Sequence, residues 1–292
     1  MDTPFGHSIS FAFAPTRRWL SLGPAWAALA GVLAGGYTDL DLTGLLMLIS
    51  LWILVDPLLG TLWDLAVSHG LWRRVTRAEL PAPPTSGLDL PYAQPASLAG
   101  GLVSLVRRYN LWWQNHYWPK DKRQVTSFWV ALAAVLFIGL ALNRTIFWLV
   151  VLAASLTILA GLTPSNLRGS GGGWLQSVVQ FLLPWVMGAA LWANLSLPGL
   201  ALGAAYWLVY LGGLRMLGDH RRAEWLFYLG QVAAIILLLA LHLLPGAVVL
   251  STLLVAQLLV RTKYTSAAIM LQKSQLYLVI GLLVAGVSLG SP

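Results

Sequence analysis

No cysteine occurs in the 292 residues. That excludes a disulfide framework, a thiolate zinc site, an iron–sulfur cluster and a cysteine nucleophile. Charge is scarce as well, at 10% of the residues, and acidic charge most of all, with ten Asp and Glu in the whole chain. A soluble domain carries roughly 25% charged residues. So little charge cannot cover a water-facing surface, which sets aside soluble enzymes, disordered chains and coiled coils.

What is present is apolar. Hydrophobic residues make up 58% of the sequence, and the mean hydropathy is +0.74. These values suit a polytopic membrane protein whose outer wall faces lipid. Fifteen tryptophans suit interfacial belts and flat ligands. The net charge of +8 would suggest nucleic acid in a soluble protein. Here its distribution argues against that partner.

A helix crossing a bilayer needs about 20 mostly apolar residues. Nine such runs are expected, at residues 22–37, 42–66, 127–142, 145–162, 174–194, 198–216, 224–243, 246–261 and 274–290. Connectors such as Asn143-Arg144 are tight enough to make neighbouring helices antiparallel. With a cytoplasmic N-terminus, 17 of the 18 basic residues fall on the cytoplasmic face and only Arg144 on the other. The positive-inside rule produces such a bias. The basic excess is then topogenic, with attraction to anionic membrane lipids beside it. The segment up to Ala14 lacks the layout of a removable signal peptide.

Residues 68–126 do not read as membrane-spanning. They carry six prolines and the aromatic-basic stretch from Arg107 to Trp118. Leu98 to Trp113 suits an amphipathic helix on the cytoplasmic interface. Either it only anchors there, or it contacts a partner or ligand.

Several local stretches, in order, resemble the UbiA superfamily of intramembrane prenyltransferases, and chlorophyll and bacteriochlorophyll synthases most of all. Asp56-Pro57-Leu58-Leu59 resembles the family's G-P-L-L. Glu79, Pro83 and Ser86-Gly87 resemble its N-E-P-x-R-P-I-P-S-G loop. Pro164 to Trp174 resembles the segment before helix five, and Leu183-Pro184-Trp185 with Gly188-Ala189-Ala190 resembles L-P-W-x-x-G-A-A. Gly213 to Asp219 resembles the end of helix six, and Leu276 to Gly290 the last helix. Residues 88–125 stand out as an insertion. The resemblance implies an all-α membrane domain of nine helices around a lateral cavity.

It also implies a chemistry. An allylic diphosphate ionises between two Asp-rich motifs that hold Mg²⁺, because a multiply charged leaving group is prohibitively costly in apolar surroundings. The sequence departs from that pattern. In the ungapped register the three aspartates of the first motif fall on Ser68, Leu71 and Val75. In the second, Asp219 and Glu224 match and the last aspartate falls on Leu226. At most Asp64, Asp219 and Glu224 remain as catalytic or metal-binding acids, with Arg73, Arg74, Arg77, Arg221 and Arg222 to meet phosphate.

The reading is therefore a degenerate prenyltransferase that binds a chlorophyll-type pigment, a quinone or an isoprenoid lipid. It would be a subunit or assembly factor among other membrane-protein subunits, in a bacterial inner or photosynthetic membrane. The alternative is an active polyprenyl transferase acting on a chlorophyllide or aromatic acceptor. Candidate ligand contacts are Asp56, His69, His116, His220 and Trp185. Asp56 either hydrogen-bonds a carbonyl freed by Pro57 or touches a bound headgroup or pigment. Each histidine is either an ordinary polar side chain or an imidazole able to ligate a pigment's magnesium.

Overall fold

The computed structural model describes residues 22–36, 41–68, 106, 110–111, 122–162, 173–192, 195–217, 223–264 and 266–291. Among them every regular element is helical and none is a strand. In chain order the helices are α1 (Pro24–Ala34), α2 (Leu42–Val67), α3 (Lys122–Leu142), α4 (Arg144–Leu162), α5 (residues 173–190), α6 (Leu197–Leu217), α7 (Ala223–Ala240), α8 (Leu244–Lys263) and α9 (Ala267–Gly290). Seven of them, all but α1 and α5, are long and apolar enough to cross a membrane. Among the described residues, seven of the nine expected crossings are matched by such a helix.

The two shortfalls have physical reasons. α1 has 11 residues, about 16 Å at 1.5 Å per residue, against a hydrocarbon core of about 30 Å. It is an interior helix, packed by α2, α5, α6 and α9. Ala27 and Ala30 have no exposed surface, so it has little lipid to face. α5 is as long as α7, but Gln176 and Gln180 dilute its apolar run; it turns π-helical at Val178–Leu182. It continues as an α-helix over Leu183–Ala190, all but one of whose residues are buried.

Proline explains much of the local irregularity. Pro57 lies inside a π-helical turn of α2, Leu54–Leu58, and Pro184 follows the turn in α5. A proline has no N–H for the carbonyl four residues back and its ring crowds that carbonyl. A wider turn relieves both. The Thr61 hydroxyl donates to the Pro57 carbonyl at 2.6 Å. A second π-helical stretch, Asp64–Ser68, ends the described part of α2.

Two clusters of buried side chains fill the bundle. One joins α1 and α5 to α6–α9, the other joins α1 and α5 to α2–α4. α1 and α5 are therefore the seam. There the chain approaches itself so closely that a Cβ on Gly31 would meet the Trp185 carbonyl. One on Gly188 would meet the Ala28 carbonyl.

Contacts also sort the helix ends into two groups. Asn143 donates to the carbonyls of Ala190 (3.0 Å) and Leu191 (3.2 Å) and accepts from Ile146 N–H (2.7 Å), starting α4. Gly36 lies against Gly290, and Gly246 against Ser288. At the opposite end the Leu22 N–H donates to Gln275 (2.6 Å) and Arg261 meets Glu224. Among the described side chains, Arg144 sits in the first group. Arg215, Arg261, Lys263 and Lys273 lie toward the second.

Candidate functional site

Glu224 stands in the first turn of α7, where an acid complements the exposed N–H groups of a helix start. Its carboxylate is held by Arg261 of α8 through both oxygens. The Arg261 Nε donates to Oε1 at 2.6 Å and an Nη to Oε2 at 3.3 Å. The other Nη donates to the Tyr264 carbonyl at 3.1 Å, which fixes the guanidinium at the end of its helix. The two side chains keep 35% and 31% of their surface exposed. A planar guanidinium matched to a carboxylate this way is among the stronger charge-assisted pairings.

That pair sets what a metal at Glu224 would have to compete with. Mg²⁺ takes oxygen ligands in a near-octahedral shell and gives up water reluctantly. It would have to displace a cation already seated on both carboxylate oxygens. Asp64, on the exposed side of α2, belongs to a different flank: α2 packs on α1, α3 and α4, whereas α7 packs on α6, α8 and α9. No group of three or more histidine, aspartate or glutamate side chains able to hold a metal ion occurs among the described residues. Glu224 and Asp64, the two candidate acids among the described residues, do not come together as the paired-magnesium clamp that the resemblance implies.

The remaining candidates divide cleanly. Asp219, His220, Arg221, Arg222, His69, Arg73, Arg74, Arg77 and His116 lie outside the described residues. So does most of the inserted loop. Val106, Asn110 and Leu111, the loop residues described within Leu98 to Trp113, are helical. Asp56 is half-buried in the first π-helical turn of α2, beside Pro57. Trp185 is fully buried. Its indole N–H donates to the Gly199 carbonyl at 3.0 Å and its ring lies where a Cβ on Gly203 would be, 2.5 Å away. This packing between α5 and α6 accounts for the residue without a ligand.

Carboxylates and histidines drew the sequence reading, and a polar seam built from other side chains escaped it. Near the π-helical turn of α5, Tyr210 of α6 donates to Gln180 Oε1 at 3.2 Å and Gln176 donates to the same oxygen at 3.0 Å. The Trp207 indole donates to the Ser177 hydroxyl at 2.9 Å, and that hydroxyl donates to the Trp174 carbonyl at 2.7 Å. Phe181 stacks on Tyr210 with centroids 5.2 Å apart. The readable signal was Gln176 and Gln180, two amides one helical turn apart in an otherwise apolar run.

No family model matches the chain, and no curated protein and no solved structure matches it either.

Proposed function

We propose that this chain is a UbiA-like integral membrane protein that has lost metal-dependent prenyl transfer. In this reading it binds a tetrapyrrole pigment, quinone or isoprenoid lipid and serves as a subunit or assembly factor of a membrane complex. The observation that carries the loss of catalysis is the Glu224–Arg261 pair, an internal cation on the acid that would otherwise hold magnesium. The ligand part rests on the motif resemblance alone. Among the described residues the chain is helical throughout its regular elements, with seven helices long and apolar enough to cross a membrane, which is compatible with such a bundle. The gathering of Arg215, Arg261, Lys263 and Lys273 at one end, opposite Arg144, supports a cytoplasmic N-terminus through the positive-inside rule.

The test is purification from the native membrane in mild detergent, followed by absorption spectroscopy and mass spectrometry of extracted lipids. The reading expects a pigment, quinone or isoprenoid in near-stoichiometric amount, together with co-purifying membrane subunits. Removing residues 98–118 should release those subunits and leave the bundle folded. A ligand-free protein that hydrolyses or transfers an allylic diphosphate in magnesium overturns it.

A further inference from the structure

Gln231 of α7 and Gln257 of α8 are buried, 7% and 2% exposed, well inside two helices of membrane-spanning length. The Gln231 amide donates to Gln257 Oε1 at 3.0 Å. Beside them is a cavity of about 10 Å³ whose wall also includes Tyr206 of α6, Tyr277 and Gly281 of α9, and Leu253. Tyr206 is 3% exposed. Neither glutamine nor Tyr206 belongs to any of the motifs discussed above.

Two primary amides together offer four N–H donors and two carbonyl oxygens. The bond between them uses one of each. Two phenol side chains on the same wall add two hydroxyls. Hydrocarbon offers no partner to any of these groups, and an unsatisfied polar group at that depth costs several kcal/mol. A cavity needs roughly 10–15 Å³ and two to four polar partners to hold a water molecule. This one meets the partner requirement and reaches the lower bound of volume. It is too small for a lipid headgroup. Gly281 keeps the space open: a Cβ there would stand 3.2 Å from the Tyr206 hydroxyl and 3.5 Å from Leu253 Cδ1.

We propose that this cavity is a binding site for one water molecule, which bridges the Gln231–Gln257 pair to the Tyr206 hydroxyl and so ties α6, α7, α8 and α9 together inside the membrane.

Two measurements on the full chain in lipid nanodiscs test it. A cryo-electron microscopy map fine enough to resolve water should show a single peak within hydrogen-bonding distance of the Tyr206 hydroxyl and of a glutamine amide. An empty cavity, or one filled by lipid, overturns the proposal. In thermal unfolding, Tyr206→Phe should lower Tm in the native background and leave it almost unchanged in a Gln257→Met background, where the water has already lost its second partner. Equal shifts in both backgrounds overturn the proposal. If Gln257→Met does not fold, the map decides on its own.

Discussion

Two helix contacts in this molecule are made by opposite means. Where α1 crosses α5, glycine lets backbone touch backbone: Gly31 lies against the Trp185 carbonyl and Gly188 against that of Ala28. Where α7 meets α8, polar side chains do the joining, through Glu224 with Arg261 and Gln231 with Gln257. Lipid tails are as apolar as leucine, so hydrophobicity alone does not draw helices together inside a bilayer. Close packing of small residues and side-chain hydrogen bonds are the two remaining devices. The first tolerates almost no added volume. The second tolerates volume but depends on matched partners.

The largest effect is expected at the first contact. Gly188→Val places its side chain on the Ala28 backbone, which cannot rotate away. The cost should exceed the about 1–3 kcal/mol of an ordinary overpacked core, and the variant should fail to give a monodisperse peak in detergent. A native-like Tm would break the distinction drawn here. Next comes Trp185→Ala, which empties the space beside Gly203 and should cost about 3–5 kcal/mol. Trp185→Phe keeps most of the bulk and loses chiefly the bond to Gly199, so it should cost about 1 kcal/mol. Thermal unfolding in one detergent ranks these variants.

Smaller effects belong to the second contact. Glu224 and Arg261 are each about one-third exposed, so water screens them. A double-mutant cycle with Glu224→Gln and Arg261→Met should give a coupling of about 0.5–1 kcal/mol, shrinking as salt is raised. A coupling of zero would mean that the pair is not held in solution. Both single variants, Glu224→Gln and Arg261→Met, should stay folded, unlike the glycine variant.

The helices were legible because lipid demands long apolar runs, and prolines punctuate them. The start of α9 was not: taking Gln272 and Lys273 as breakers puts the start of the run at Ser274, yet the helix starts at Ala267, with both side chains exposed at the bundle end. The shortness of α1 was hidden too, since an interior helix and a crossing helix are equally apolar. The pairing of Glu224 with Arg261 spans 37 positions and leaves no local periodicity to read. By contrast, Gln176, Gln180, Gln231 and Gln257 were visible as amides inside apolar stretches. Like acids and histidines, a polar side chain at that depth needs a partner.

In the proposed reading the Arg261 guanidinium occupies the carboxylate on which the UbiA resemblance would place magnesium. The most direct measurement is pyrophosphate release from an allylic diphosphate by purified protein, with and without Mg²⁺, beside Glu224→Gln. The prediction is no release above the protein-free rate in any of these conditions. Magnesium-dependent turnover that disappears in Glu224→Gln would contradict it.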